Sequence, residues 1–435
     1  MTATCTDAGP YWDLVEQSLE EGAFLWKRWE SDLSSLTRNL AATWTWSEER
    51  LHGALDGVRV AEERIVEVSA VALCGRDLSA QTVAAHLLAS ASAAGARTAL
   101  AAAVRDARGA SLQAMARGIE TAALDGSFAP VSRALAESGP EHSAALCRIK
   151  AFRRVAPGRE ALEALHCTLA PAQAQTLEAL GRAGETAMVK RYVPQGLNSS
   201  APTVRQAAIV AGIRHGHAPA WRLAVQLIEQ RHPDCAPLLA GVAALGSSEE
   251  QALVIAALRS PTLQTAALSA LAYIGTPEAV QIVLAGMREP RLARAAGEAY
   301  CAITGAELAR DQLAAPEPAE AVSPPPLTSD PPDADLVPRG ADLWPLPDPA
   351  AVQRHWQRSK GRFAAGVRHW RGQAVTLEVL LSALERGPML HRDDLALELT
   401  VRTGRQYDLE PRAFACLQQA MMRAGRASLA ARTVR

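Results

Sequence analysis

The sequence predicts an all-α fold, an α-solenoid of stacked helix pairs followed by a linker and a small C-terminal helical module. Apolar residues recur at helical intervals, as in the uncharged stretch "LQTAALSALAYIG" (263–275). Aromatic residues make up only 4% of the chain, so alanine and leucine carry the apolar content, which favours close-packed helices over sheets. Glycines that end the apolar stretches recur about every 30 residues, at Gly184, Gly216, Gly246, Gly275 and Gly305.

One of these units shows how a helix pair is encoded. Leu268 and Leu271 lie on the apolar face of the stretch that ends at Gly275. A glycine at this position takes the left-handed conformation that ends a helix. The next helix is expected to begin after Thr276, with Pro277 as its first helical residue. Because a single pair cannot bury its own apolar face, such units stack into a continuous core, and Leu268 and Leu271 should lie buried between neighbouring repeats.

The units resemble HEAT repeats, especially the short HEAT-like repeats of phycobilisome lyases. The resemblance covers roughly residues 143–305 and is strongest in "SPTLQTAALSALAYIGTPEAVQIVLAGMRE". The whole chain also resembles an uncharacterised family of bacterial HEAT-repeat proteins, through "LDGVRVAEE", "AGEAYCAITG" and "LPDPAAVQRHWQRSKGRFAAGVRHWRG". Some members of that family lie near type VI secretion genes. The resemblance therefore implies a secretion context, and it implies no particular activity.

Composition divides the chain into four parts. Residues 1–140 are helical but poorly periodic, and Thr45 with Glu48 forms a candidate capping box at a helix start. Residues 141–308 hold the clear repeats. Residues 309–343 are rich in Pro, Asp and Ala and are expected to form an extended, disordered linker, which includes the thrombin-like stretch "LVPRG" (336–340). Residues 344–435 are predicted to form a basic helical module.

The C-terminal module carries the charge asymmetry of the chain. From residue 345 onward there are 15 Lys/Arg against 8 Asp/Glu, whereas the formal net charge of the whole chain is −1. Cations there alternate with aromatic rings, an arrangement that can bind phosphates and stack bases, or contact an acidic protein surface. The alternative is an amphipathic segment with its rings, and Val367, in the core and its cations in solvent. The candidate interaction surface comprises Arg354, Trp356, Arg358, Lys360, Arg362, Phe363, Arg368, Trp370 and Arg371.

Catalytic and metal-binding signals are weak. The chain contains no G-x-S-x-G, Walker A or Rossmann fingerprint. The nearest metal candidates are His215 and His217 in one predicted turn and His232 with Asp234 in the next, but loop histidines two residues apart are usually surface residues. A HEAT-like DNA glycosylase would need a basic concave face. The repeats supply cations for one, although acidic residues offset them: Arg148, Arg153, Arg154, Lys190, Arg191, Arg205 and Arg214.

These observations favour a non-catalytic scaffold or adaptor that binds a protein partner along its repeats, with a secretion effector or spike component as the partner that the resemblance suggests. The alternatives are a nucleic-acid-associated protein that uses the basic C-terminal module, and a HEAT-like lyase-type enzyme. No signal peptide or membrane span is predicted, and the scattered cysteines are interpreted as reduced core thiols. We therefore expect a cytoplasmic protein with no cofactor, metal or small-molecule ligand, and nucleic acid is disfavoured as a partner.

Overall fold

The computed structural model describes residues 11–123, 128–316 and 344–433, with side chains described up to residue 428. Most of the predicted linker, including "LVPRG", lies outside the described residues. On either side of the undescribed segment 317–343, the chain pairs with itself. The Ala315 N–H donates to the Leu346 carbonyl and the Asp348 N–H donates to the Leu313 carbonyl, each over 2.7 Å. The described residues that flank that segment therefore lie side by side.

The described residues confirm the predicted all-α fold. The first helices are α1 (Trp12–Asp32), α2 (Leu40–Thr43), α3 (Glu49–Arg59), α4 (Ile65–Cys74), α5 (Leu78–Ser90), α6 (Ala96–Asp106), α7 (Gly109–Thr121) and α8 (Ala129–Glu137). The repeat region forms α9 (Pro140–Phe152), α10 (Glu160–His166), α11 (Ala170–Ala183), α12 (Thr186–Leu197), α13 (Pro202–Arg214), α14 (Ala218–Glu229), α15 (Leu239–Leu245), α16 (Ser248–Ala257), α17 (Gln264–Ile274), α18 (Pro277–Gly286) and α19 (Ala293–Thr304).

The C-terminal part adds α20 (Pro349–Ser359), α21 (Leu377–Arg386), α22 (Arg392–Arg402) and α23 (Ala415–Thr433). A π-helical turn spans Trp44–Glu48, and 3-10 turns span Glu62–Arg64, Pro233–Leu238, Lys360–Arg362 and Met389–His391. A single antiparallel hairpin pairs β1 (His369–Trp370) with β2 (Gln373–Ala374), with His369 opposite Ala374 and Trp370 opposite Gln373. These two-residue strands are the sheet content of the described chain.

The chain forms two compact units. Unit 1 takes its residues from 1–34, 38–223 and 399–435, and unit 2 takes its residues from 35–37 and 224–398. This division differs from the four parts predicted from composition, because residues 344–398 pack within unit 2 and residues 399–435 pack within unit 1. Both units thus combine repeat helices with residues from the C-terminal part of the chain.

Stacked helices build each unit. In unit 1, α5 packs on α7, α7 on α9, α9 on α11 and α11 on α13. In unit 2, α15 packs on α17 and α17 on α19, while α16 and α18 pack against them. Leu268 and Leu271 are 1% and 0% exposed, which confirms the predicted burial. The stacking begins at α5, upstream of the predicted repeats, where the helices are followed by Ala91 and Ala122 in place of glycine.

The helix boundaries in the unit built from α17 and α18 follow the predicted signals. Gly275 has φ +65° and ends α17 in the left-handed conformation. The Thr276 side chain accepts a hydrogen bond from the Ala279 N–H, and Pro277 is the first residue of α18. The predicted capping box of Thr45 and Glu48 is wrong, because both residues lie inside the continuous π-helical turn. Glu48 is instead fully buried, and its carboxylate accepts hydrogen bonds from the Trp29 indole and from the Ala415 N–H, at 2.8 and 2.7 Å.

Candidate functional site: two straps across helix ends

The residues of the predicted interaction surface divide into two classes. Arg354, Arg358, Lys360 and Arg362 are exposed to solvent. The aromatic side chains lie in the core of unit 2, with Trp356 and Trp370 each 1% exposed and Phe363 7% exposed. The rings of Trp356 and Phe363 pack 5.2 Å apart between centroids. Exposed rings therefore do not alternate with the cations, and the role of the cations in binding stays a prediction. Val367, assigned to the core in the amphipathic alternative, is 38% exposed.

Residues 368–372, the unit 2 strap, cross the C-terminal ends of one helix from each of three successive repeats, α15, α17 and α19. The Arg368 guanidinium donates to the Ala244 carbonyl at the end of α15, over 3.2 Å. The His369 N–H donates to the Gly275 carbonyl just past α17, over 2.8 Å. The Arg371 and Gly372 N–H groups donate to carbonyls of the last turn of α19, over 2.6 and 2.8 Å. The strap thus supplies donors to carbonyls that helix ends leave without an intrahelical partner.

Two repeat glycines allow this strap to approach. A Cβ atom at Gly275 would lie 2.4 Å from the His369 carbonyl oxygen, and one at Gly305 would lie 2.6 Å from the Arg371 carbonyl oxygen. Both glycines also have positive φ, +65° and +77°. Two of the periodic glycines, Gly275 and Gly305, therefore mark places where the strap contacts helix ends.

Arg368 is itself fixed by a buried ion pair. Its guanidinium donates to both carboxylate oxygens of Glu398, at 2.5 and 2.9 Å, and Glu398 is 1% exposed. Arg371, by contrast, is about one-third exposed and pairs with Glu307 at 3.4 Å. Of the two cations, Arg368 is committed to the fold, since breaking a buried pair would leave an uncompensated charge.

A second buried polar group in unit 2 joins α17 and α19 to the C-terminal residues. The Tyr273 hydroxyl donates to Asp394 over 2.7 Å and lies 3.1 Å from His391 Nδ1. His391 Nε2 lies 2.7 Å from a Glu298 oxygen. Burial, together with the nearby Asp394 charge, raises the pKa of Tyr273 well above its usual value. Tyr273, His391 and Glu298 are each no more than 5% exposed, and Asp394 is half-buried, so the group lies mostly within the core and links α17 and α19 to α22.

Residues 405–415, the unit 1 strap, cross the ends of α9, α11 and α13. Asp408 accepts a hydrogen bond from Arg154, and Glu410 accepts from Arg154 and Arg182. Arg214 lies 3.7 Å from Asp408. Burial alone would raise the pKa of Glu410, but the charges of Arg182 and Arg154 outweigh it and lower that pKa. Two carboxylates of the strap thus lie among three arginines from successive repeats.

The second half of the same strap inserts an aromatic ring into unit 1. Phe414 is 3% exposed, and its centroid lies 4.5 Å from Trp29 and 6.0 Å from Trp26. Arg412 pairs with Glu30 at 3.1 Å, and its carbonyl accepts from Arg117 over 2.8 Å. With the Ala415 N–H bound to Glu48, polar and apolar contacts hold the strap along its length.

Two of the histidines considered as metal ligands, His215 and His232, instead accept hydrogen bonds from neighbouring protein groups. The Arg405 guanidinium lies 2.9 Å from His215 Nδ1, which accepts its hydrogen bond because arginine offers only donors. Burial and the Arg405 charge lower the pKa of His215 to about 4. His232 Nδ1 caps its own turn by accepting from the Asp234 N–H over 3.2 Å. Within the described residues, no three His, Cys, Asp or Glu side chains converge as metal ligands would.

From the sequence alone, the three arginines that hold the unit 1 strap were not grouped together. Arg154, Arg182 and Arg214 stand at or just beyond the ends of α9, α11 and α13. Cations near helix C-termini are favourable, so the presence of an arginine near the end of each of these three helices was a usable signal. Their partners Asp408 and Glu410 lie far away in sequence, with separations of 254 for Arg154–Asp408 and 228 for Arg182–Glu410, and no local pattern links them.

The chain matches no protein-family model and no curated protein sequence. The resemblance to HEAT-repeat families thus stays a prediction, while the helical-repeat fold rests on the structure. None of the described helices combines the length and the apolar character that crossing a bilayer requires.

Proposed function

We propose that this protein is a non-catalytic, cytoplasmic scaffold that binds an acidic protein surface through one basic ridge. The basic ridge consists of Arg354, Arg358, Lys360 and Arg362, on α20 and the turn after it. The observation that supports it is the orientation of this segment. Its aromatic side chains anchor it in unit 2, whereas all four cations point to solvent. An anchored segment presents charge at little cost in conformational entropy.

The cations of the basic ridge are available for a partner. Among the described residues, none of the four has a carboxylate within ion-pair distance, although exposed arginines elsewhere pair with neighbours, as Arg59 does with Asp56 at 2.7 Å. Exposed charges of this kind steer association and set its salt dependence more than they set final affinity. The ridge is therefore suited to recognising an acidic surface rather than to forming a buried interface.

Nucleic acid is the weaker alternative for the same ridge. Binding of single strands combines cations with exposed rings on which bases stack, and the rings of this segment are buried. The cations alone would give salt-sensitive binding without stacking. The family resemblance suggests secretion effectors and spike components as the first protein partners to test.

The test compares two fourfold charge reversals in the full chain. The ridge variant changes Arg354, Arg358, Lys360 and Arg362 to Glu. The control changes four exposed cations of unit 1 to Glu, and so alters net charge equally: Lys27, Arg76, Arg133 and Lys190. Fluorescence anisotropy would measure binding of a labelled glutamate-rich peptide and of a labelled single-stranded oligonucleotide at several salt concentrations.

We expect the ridge variant to lose peptide binding at least tenfold while the control variant keeps most of it. Equal losses in both variants would show that net charge alone attracts the peptide and would contradict the proposal. A clear preference of the unaltered chain for the oligonucleotide over the peptide would favour the nucleic-acid alternative.

A further inference from the structure

Arg214 is a buried guanidinium without an adequate acceptor. Its side chain is 9% exposed, and the carboxylate within ion-pair distance, that of Asp408, lies 3.7 Å away, beyond hydrogen-bonding distance. Within the described part of the chain, the Arg214 guanidinium makes no hydrogen bond. A buried arginine keeps its charge and presents five N–H donors, and leaving such donors without acceptors is unfavourable. An acceptor for these donors would therefore come from solvent or from a bound ligand.

The end of α13 cannot supply that acceptor. The Gly212 carbonyl accepts from the His215 and His217 N–H groups, and the Ile213 carbonyl accepts from the Gly216 N–H. Asp408 in turn is engaged by Arg154 through two nitrogens, at 3.1 and 3.2 Å. These two carbonyls and the Asp408 carboxylate thus already accept hydrogen bonds from other donors.

Among the contacts that the described residues show around Arg214, cations outnumber carboxylates. Four cations lie in this group, from Arg154, Arg182, Arg214 and Arg405, against two carboxylates, from Asp408 and Glu410. Burial, and to a smaller extent the nearby charge of Arg182, lower the pKa of Arg214 to about 10. The negative C-terminal ends of α9, α11 and α13 offset part of this excess, and a bound anion would offset the rest.

The group is also accessible and held in place. The side chains of Arg154 and Arg182 are 24% and 28% exposed, so solvent reaches the arginines beside Arg214. Arg154 has φ +60° and Arg405 has φ +67°, a left-handed conformation that non-glycine residues rarely adopt. Arg154 occupies the position after α9 that Gly216, with φ +67°, occupies after α13. Arg154 thus holds a backbone conformation that favours glycine, while its guanidinium contacts Asp408 and Glu410.

We propose that Arg214, Arg182 and Arg154 form a binding site for a phosphate-type oxyanion, either free phosphate or the phosphate group of a larger molecule. Guanidinium groups bind such oxygens through paired hydrogen bonds. Arg214 would supply the donors at the base of the site, and the two more exposed arginines would contact the anion from the solvent side. Asp408 and Glu410 hold Arg154 and Arg182 in position.

The experiment is a calorimetric titration of the full chain with sodium phosphate, with sodium chloride as the reference at matched ionic strength. Saturable binding of one phosphate per chain is expected, and phosphate should raise the melting temperature, since a ligand that binds only the folded state stabilises it. Phenyl phosphate serves as a second ligand. Binding of both ligands indicates a site open to phosphate groups on larger molecules, and binding of inorganic phosphate alone indicates a site for the free ion.

Three variants locate the site. Arg214→Gln and Arg182→Gln should each weaken phosphate binding at least tenfold, and Arg133→Gln, at an exposed position of α8, should leave it unchanged. Circular dichroism establishes that each variant is folded. If Arg214→Gln fails to fold, Arg182→Gln decides, because its side chain is partly exposed. Absence of saturable phosphate binding to the unaltered chain, or unchanged binding in Arg182→Gln, would overturn the proposal.

Discussion

At the scale of single residues, buried apolar side chains and titratable side chains affect the stability of the fold in different ways. Leu271 has no exposed surface, and its helix α17 packs between α15 and α19. Removing most of its side chain both forfeits burial and leaves a cavity. A charged or titratable side chain such as His215 affects stability through its protonation state, and so through pH.

Leu271→Ala should lower the free energy of unfolding by about 2–5 kcal/mol. Val71→Ala is the matched control, because Val71 also lies within a helix but is 78% exposed; surface changes of this kind usually stay within about 0.5 kcal/mol. Urea denaturation followed by circular dichroism measures both. Similar small effects for the two substitutions would mean that Leu271 is not at a packed position between repeats.

The pH dependence of stability should carry a contribution from His215. Its pKa falls from the ordinary value of 6.5 to about 4 in the folded protein, through burial and the Arg405 charge. Between those values the unfolded chain binds a proton there and the folded chain does not, so stability falls as pH decreases from 6.5 toward 4. In His215→Gln the slope of the unfolding free energy against pH should become shallower, by an amount that corresponds to at most one bound proton. Urea midpoints measured across this range for both proteins give the difference, and superimposable profiles would contradict the assignment.

At the scale of elements, the straps explain why helix ends matter in this fold. The unit 2 strap places backbone N–H groups against Gly275 and the last turn of α19. The unit 1 strap places carboxylates among arginines at the ends of α9, α11 and α13. A short irregular segment thus satisfies groups that stacked helices leave open at one edge.

Gly275→Ala separates strap contact from backbone strain. Left-handed backbone at a non-glycine residue costs about 1–2 kcal/mol. Gly366→Ala is the control for this cost, because Gly366 also has a left-handed backbone, with φ +69°, and a methyl group added there would meet no atom within 4 Å. At Gly275 the added methyl group would also meet the His369 carbonyl, which should add about 1–3 kcal/mol from overpacking. Denaturation curves of the two variants give the difference, and equal losses would show that the strap is not closely held there.

Local signals predicted the elements well and their partners poorly. Helical periodicity, the Gly275 stop and the Thr276–Pro277 start each reappear in the structure, because they act within one or two turns of helix. Periodicity and charge also identified a basic, aromatic-rich C-terminal segment. They could not decide that Trp356 and Trp370 face the core while Arg354 faces solvent, since burial depends on which distant helices the segment contacts.

At the scale of the whole molecule, the two compact units each enclose sequence-distant residues. In unit 1 the Ala415 N–H reaches Glu48 across 367 positions of sequence. In unit 2, Tyr273 contacts Asp394 across 121 positions. Composition indicated a change of character at the Pro-rich stretch and suggested a separate module after it. Composition carries no record of such long-range contacts, which is why the packing of residues 344–398 and 399–435 within different units was not foreseen.

Phe414 tests the contribution of the C-terminal strap to unit 1. Its ring lies against Trp29 and Trp26, residues near the other end of the chain, and truncation of a buried phenylalanine costs about 3–5 kcal/mol. Phe414→Ala should therefore destabilise unit 1 strongly, whereas Leu417→Ala should have little effect, because Leu417 follows in α23 but is 42% exposed. Tryptophan fluorescence during urea denaturation, sensitive to the loss of the ring beside Trp29, reports the change together with circular dichroism. The prediction fails if Phe414→Ala unfolds at the same urea concentration as Leu417→Ala. That result would mean that the strap contributes little to the stability of unit 1. In a chain that ends at residue 398, unit 1 should then have an unchanged melting temperature.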